Sequence, residues 1–317
     1  MRSVIAGLFL CVVSAACWSQ PYPARPVRMV VGFAPGGGTD IIARLVAHKL
    51  GERWKQAVVV ENRLGASGNI GAELVAKSGP DGYTLLLAFS SHASNAALSR
   101  LSFDINKDFS AITLVASGPA VVIAHPAVPG KTLAGMIAYA KANPGAIKYG
   151  SSGVGTPVHL AGELMQQLTG AQMVHVPYKG IAPAMTAILA GDIQISFATP
   201  LSALQYLKSG RLIGLAVAAP ARFPTLPDVP TAAEAGLPGY DVDFWYGLLG
   251  PAGMPAALVD RIQKDVAAVL TSPDAKEGLL AQGCIAVASP PQVLNELIGR
   301  DYEKWAKVVK TGGVKVE

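Results

Sequence analysis

The feature that most constrains this chain is a pattern that occurs twice: a short apolar run, a glycine-rich turn, then a segment with helical spacing. In the first copy, Val27–Phe33 leads through Ala34-Pro35-Gly36-Gly37-Gly38 into a stretch whose apolar residues Ile41, Ile42, Leu45, Val46, Leu50 and Trp54 lie on one helical face. In the second, Ile147–Tyr149 leads through Ser151-Ser152-Gly153-Val154-Gly155 into a helix predicted over Thr156–Leu168. A strand that turns at once into a helix belongs to parallel α/β layers, where the helix packs back on the sheet.

The rest of the chain continues the alternation. Strand-like runs fall at Val58–Val60, Tyr83–Phe89, Ala120–Ala124, Met173–Val176, Ile193–Ala198 and Leu212–Ala218, with helical segments at Gly71–Lys77, Thr132–Ala142, Pro183–Leu189 and Pro200–Lys208 between them. The proline-rich Phe223–Pro230 can neither continue a helix nor sit inside a sheet, so it is a surface connection. After it come the strand-like Asp243–Leu249 and three helical segments, Pro255–Leu270, Asp274–Ala281 and Pro291–Val309. A chain of 317 residues exceeds the roughly 250–300 at which one core stops growing. The expected fold class is therefore α/β with two lobes, each a sheet flanked by helices. Residues 20–117 begin lobe 1, residues 118–242 form lobe 2, and residues 243–317, mainly helical, return to lobe 1. The two crossings, near Leu114–Pro119 and Phe244–Gly250, make a hinge.

The N-terminus has a different character. Met1-Arg2 precedes an apolar segment, Val4–Val13, and the small residues Ser14, Ala15 and Ala16. That segment is shorter than the ~20 residues a spanning helix needs, and its basic start and small-residue end fit a cleaved export signal over residues 1–19. Cleavage between Ala16 and Gln20 removes Cys11 and Cys17 and leaves Cys284 without a disulfide partner. The mature chain is expected in the periplasm as a monomer. Without Arg2 the formal charge falls from +5 to +4, with no basic block, so nucleic acid is not an expected partner.

A glycine turn that opens a helix leaves backbone N–H groups free at the positive end of the helix dipole, a ready anion site. Phe33, Pro35, Gly36, Gly37, Thr39 and Asp40 are the candidates in the first turn, with Thr39 as the expected helix N-cap. Ser152, Gly155, Thr156 and His159 are those in the second, with Thr156 as N-cap and Pro157 at the first helical position. Neither turn carries the Gly-Lys-Ser/Thr of a triphosphate site or the third glycine of a dinucleotide site. Amides and hydroxyls without a fixed cation suit a carboxylate, and Asp40 would repel phosphates. Ser90, Phe197 and Thr199 are added by position at strand ends. Phe197 reads first as core packing unless its strand ends there, and Thr199, just before Pro200, also fits a helix cap. Catalytic and metal sets are not evident: no Gly-x-Ser-x-Gly elbow surrounds Ser67 or Ser152, and the five histidines lack metal-ligand spacing. No cofactor is expected. A secreted hydrolase using Ser152 and His159 is the enzyme alternative.

Five segments, "PVRMVVGFAPGGGTDIIAR", "DGYTLLLAFSSHASN", "YGSSGVGTPVHLAGELM", "VPYKGIAPAMTAILAGDIQISFA" and "LPGYDVDFWYGLLGPAGMP", together resemble the extracytoplasmic solute receptors of the tripartite tricarboxylate transporter family, often called Bug proteins. The resemblance covers nearly the whole mature chain, with the motifs in the family's order. It implies a two-lobed type 2 periplasmic binding protein fold that closes on a small organic acid and delivers it to one large and one small integral membrane subunit. It further implies that the carboxylate is gripped through the turns at Pro35–Asp40 and Ser151–Thr156. Many relatives carry Thr or Asn in place of Ser90 or Ser91. A receptor that signals to a membrane sensor is the alternative within this class.

Overall fold

The computed structural model describes residues 22–178, 180–312 and 314. The predicted leader and Lys179 lie outside the described residues.

Lobe 1 opens with β1 (Val27–Val31), α1 (Gly38–Trp54), β2 (Val58–Asn62), α2 (Asn69–Ala76), β3 (Thr84–Phe89), α3 (Ser91–Leu98) and β4 (Phe109–Pro119). Lobe 2 follows with β5 (Val121–Ala124), α4 (Leu133–Ala142), β6 (Lys148–Ser151), α5 (Pro157–Thr169), β7 (Val174–Pro177), α6 (Ile181–Ala190), β8 (Ile195–Ala198), α7 (Pro200–Lys208) and β9 (Ile213–Val217). The chain then returns through β10 (Asp243–Pro251) to α8 (Ala256–Leu270), α9 (Pro273–Ala281), β11 (Ile285–Ala286) and α10 (Pro291–Gly312). The two sheets have the orders β11-β4-β10-β3-β1-β2 and β7-β6-β8-β5-β9.

The strands read as unbroken apolar runs because both faces of each sheet are covered. Val27, Met29 and Val31 of β1, with Leu85 and Leu87 of β3, pack toward α1 and α8. Val30, Leu86 and Ala88 point the other way, into a core shared with Phe103, Trp245 and Leu294. Lobe 2 repeats the arrangement: Val122 and Ala124 face one core, with Tyr149, Leu160 and Met165, while Val121 and Ile123 face another, with Met185, Ile188 and Ala203.

Pairing register fixes how the lobes meet. In lobe 1, β1, β2 and β3 are parallel, and β10 runs antiparallel to β3 with Tyr246 opposite Phe89. Asp243, the first residue of β10, lies opposite Pro119, the last of β4. The C-terminal edge of this sheet is therefore the edge from which the chain leaves for lobe 2 and at which it returns. In lobe 2, Val121 at the start of β5 lies opposite Ala198 at the end of β8 and Val217 at the end of β9. Strands β6 and β7 run parallel to β8, so they end at the same edge. Both C-terminal edges thus abut the crossovers, where Ala120, Ala218 and Val242 are joined by backbone hydrogen bonds of 2.8–3.2 Å.

Two differences from the sequence reading have physical causes, and one expectation is met. Ser91–Leu98, where the sequence pattern predicted no element, is a helix whose buried residues are mostly small and polar, so it shows almost no apolar periodicity. The crossings, expected as strands, are the long β4 and β10, bonded to each other across the middle of the sheet. The C-terminal segment does not stay wholly on lobe 1. A 22-residue helix is about 33 Å long, and α10 uses that length to bridge the lobes. Leu294 and Ile298 enter a lobe 1 core, Asp301 accepts the Trp245 indole N–H at 2.6 Å, and Trp305 and Val308 enter the lobe 2 core.

Trp305 is 1% exposed, and replacing it with Ala is expected to cost about 3–5 kcal/mol, the usual range for emptying a large aromatic site. Urea unfolding checks this; an unchanged midpoint would show that α10 contributes nothing to lobe 2.

Candidate functional site

Every strand that ends at the facing edges is followed by a turn and a helix, except those that form the crossovers and β9. Lobe 1 brings the N-termini of α1, α2 and α3 to its edge, and lobe 2 brings those of α5, α6 and α7. Six positive dipole ends therefore border one cleft. The caps are unevenly distributed. Thr156 caps α5 by accepting from the His159 amide, and Thr199 caps α7 by accepting from Ser202. The N-cap positions of α1, α2, α3 and α6 are Gly37, Gly68, Ser90 and Gly180, and none makes a side-chain cap bond.

The first turn differs from expectation at its helix start. Thr39 is not the N-cap: α1 begins at Gly38, with extended Gly37 before it, and Thr39 is buried one step inside. Phe33 is half-buried, edge-on to Phe89 at 5.8 Å and to His92 at 5.9 Å. Pro35, Gly36 and Gly37 are exposed, and Gly36 holds a left-handed φ of 79°. Asp40, a candidate site residue of the first turn, is committed within the protein. Its Oδ2 accepts from the Gly36 amide at 2.9 Å and Arg44 Nε at 2.8 Å, and its Oδ1 accepts from Asn62 Nδ2 at 2.9 Å. Burial alone would raise this carboxyl, but the bonds from Arg44, Gly36 and Asn62 outweigh it and hold it at about 2. Asp40 therefore shapes the turn and leaves the amides at the start of α1 free.

The second turn is held from behind. Ser151 Oγ lies 3.0 Å from the Gly153 carbonyl and accepts from the Gly153 amide at 3.1 Å. Thr156 Oγ1 donates to the same carbonyl at 2.8 Å, and the Gly155 amide donates to His159 Nδ1 at 3.0 Å. Gly155 and His159 are buried, while Ser152 and Thr156 are partly exposed. The hydroxyl of Thr156 and the ring of His159 thus organise the turn. The serine joined to a histidine is Ser151, with His175 Nε2 at 2.6 Å, and Ser151 is fully buried.

Of the residues added by position, Ser90 carries the most information. Its hydroxyl is buried and without a hydrogen-bond partner among the described residues, as is that of Ser91. A buried hydroxyl left unpaired costs about 1–3 kcal/mol, so such groups mark places where a bond is made to something else. Phe197 has no exposed surface and packs against Tyr149 and Tyr240 in the core; its side chain is a core group. Thr199 is a cap.

A third turn escaped the sequence reading. Gly65-Ala66-Ser67-Gly68 follows β2 and opens α2, and all four residues have positive φ, including 45° at Ala66 and 55° at Ser67. Non-glycine residues hold that conformation only where surroundings enforce it. Here Gly68 lies against the Phe33 and His92 rings, and Asn95 Nδ2 donates to the Ser67 carbonyl at 3.2 Å. The signal was present, since a glycine-bounded turn again links a strand to a helix. A groove of about 910 Å³ lies behind the crossovers, lined by Asp241, Asp243, Arg300 and Lys304 among others. It contains neither predicted turn.

Two α/β lobes joined by two long strands, with helix N-termini lining the gap, define the class of two-lobed solute-binding proteins. The chain matches the family model "Tripartite tricarboxylate transporter family receptor" over residues 42–314. Protein BugT of Bordetella pertussis is 34% identical, with 99% of this chain and 98% of BugT aligned. A Rhodopseudomonas palustris protein solved with adipate is 35% identical at a TM-score of 0.81, covering 93% of this chain and 99% of the other. MatC from Rhodopseudomonas palustris, solved with bound malate, is 31% identical at a TM-score of 0.78, covering 91% and 100%. The chain belongs to the tripartite tricarboxylate transporter receptor family, whose members are solute-binding receptors and not enzymes. Among the described residues no helix is long and apolar enough to cross a membrane.

A carboxyl held at about 2 when folded, against about 3.9 when unfolded, contributes stability that is full above about pH 4 and is lost as pH falls toward about 2. Asp40→Asn is accordingly expected to lower the unfolding midpoint at pH 7 and to flatten its fall below about pH 4. Parallel unfolding curves for the two proteins across that range would contradict the assignment.

Proposed function

We propose that this protein is a periplasmic receptor that captures a small organic acid between its lobes, through a carboxylate set against the uncapped N-terminus of α1 and the turn before α5. The single observation that carries this reading is the meeting of both strand C-terminal edges at the crossovers, which gathers six helix N-termini around one cleft. A carboxylate there exchanges water for backbone N–H donors that the protein leaves unpaired. The half-buried Phe33 and Phe89 offer apolar surface for the body of the acid, and the unpaired hydroxyls of Ser90 and Ser91 offer bonds to its far end. Adipate and malate in the two relatives support the ligand class. Closure bends the two crossing strands, and the closed form hands the acid to a large and a small membrane subunit. The leader over residues 1–19 directs export and is removed. A sensing role is tested by the same ligand screen with pull-down of membrane partners.

Calorimetry against a panel including adipate and malate is expected to reveal at least one acid that binds; silence across the panel argues against the reading. Gly38→Pro gives a sharper test. Proline is tolerated at the first position of a helix, and extended Gly37, φ −75° and ψ 163°, suits the residue before it. The substitution deletes one N–H at the proposed carboxylate. Affinity is expected to fall by about 1.5–3 kcal/mol, the worth of a hydrogen bond to a charged group, with little change in thermal stability.

A further inference from the structure

The turn before α5 is held by a histidine that can hold it only when uncharged. His159 Nδ1 accepts the Gly155 amide proton at 3.0 Å, so this nitrogen carries a lone pair and the ring proton sits on Nε2. That side faces Glu163 Oε1 at 3.6 Å. The ring is stacked on His175, with centroids 3.8 Å apart and planes 13° from parallel, and His175 Nε2 meets Ser151 Oγ, which ties down Gly153. Two histidines therefore back the same four-residue turn, one through Gly155 and the other through Gly153.

We propose that His159 is a positioning residue whose neutral ring keeps the Gly155 amide, and with it the ligand-gripping turn, in its binding shape, so that protonating the ring releases the turn and weakens carboxylate binding in acid. The inference rests on the reading of the cleft given above.

The chemistry follows from the geometry. Adding a proton to Nδ1 sets two N–H donors against each other, and the Gly155 peptide must turn away. Gly155 can do so, because it holds a left-handed φ of 76° and has no side chain to obstruct it. The groups that face the two rings are Glu163 from α5, Tyr149 from β6, which stacks on both, and the rings themselves from α5 and β7. Tyr149 also donates to Glu163 Oε1 at 2.5 Å. Burial alone would raise the Glu163 carboxyl, but its bonds from His159 and Tyr149 outweigh that and hold it below the usual range. A charged Glu163 next to Nε2 can compensate a positive His159, so the added charge brings little new attraction for the ligand while the lost acceptor disorders the turn. Burial, then the neighbouring His159, push His175 down to about 4.

Nitrogen NMR of histidine-labelled protein without ligand, at about pH 7.5, is expected to show a proton-free Nδ1 on His159; a protonated Nδ1 there overturns the proposal. On lowering the pH through the range in which imidazoles charge, about 8 to 5, the Gly155 amide resonance is expected to follow the His159 ring, and an amide that stays unmoved also overturns it. Both measurements decide the matter even if no acid on the panel binds, a result that bears only on the functional reading. With adipate or malate, whichever binds, calorimetry is expected to show wild-type affinity falling about tenfold or more from about pH 7.5 to about pH 5.5. His159→Asn supplies an uncharged acceptor at the Nδ1 position, and is expected to bind more tightly than His159→Ala and to change less than threefold over the same range. Comparison at each pH removes the titration of the acid itself. Coincident pH profiles for wild type and His159→Asn overturn the proposal.

Discussion

Strand polarity is the constraint on which the rest of this structure depends. In a parallel sheet every helix begins where a strand ends, so the positive helix termini collect on one edge. A single lobe would present that edge to water. Here the chain leaves lobe 1 from the end of β4 and enters β5 at the edge where β6, β8 and β9 finish, and the two positive edges face each other. The crossing strands β4 and β10 pair with each other inside the lobe 1 sheet and reach lobe 2 only beyond Pro119 and before Asp243.

The uneven capping follows from this placement. A helix N-terminus leaves four amides without intrahelical partners, and the usual remedy is a side-chain cap. Thr132 provides one for α4, whose N-terminus lies away from the cleft-facing edge. At the cleft the protein mostly omits the remedy, placing glycine before α1, α2 and α6, and it uses side chains such as Asp40 to fix the turns from outside. A fixed cation would bind an anion too, but more strongly and with less dependence on shape. Backbone donors bind an anion less tightly and depend more on the geometry that presents them.

Much of this was legible in the sequence because it rests on short-range signals. Glycine turns between apolar runs located α1 and α5, Thr156-Pro157 announced its own cap, and the family motifs supplied the two-lobed plan. The features that were not legible depend on contacts distant in sequence. The Asp40 side chain is engaged by Asn62, 22 residues on, and the stack of His159 on His175 joins two elements that meet only after lobe 2 folds. α3 was obscured for a different reason. Its buried residues are Ser91, His92, Ala93, Ser94 and Asn95, of which His92 and Asn95 reach the Gly68 and Ser67 carbonyls of the third turn; with so little apolar area among them, hydrophobic periodicity had nothing to report.

The bridging of the lobes by α10 bears on how far they can separate. Trp305 and Val308 are embedded in the lobe 2 core, and Leu294 and Ile298 in that of lobe 1; a wide opening would have to withdraw one pair or bend the helix between them. At that midpoint Asp301 accepts from the Trp245 indole on β10 and pairs with Lys304 at 3.0 Å, which ties the helix to one of the crossing strands. Were the lobes to close as proposed, helix and strand would move together, in a rotation about the line where β10 and α10 meet. Such a rotation changes the cleft most at the turns farthest from that line. The backbone donors of α1 and α5, carried on separate lobes, are the groups whose separation this motion can alter while both cores stay packed.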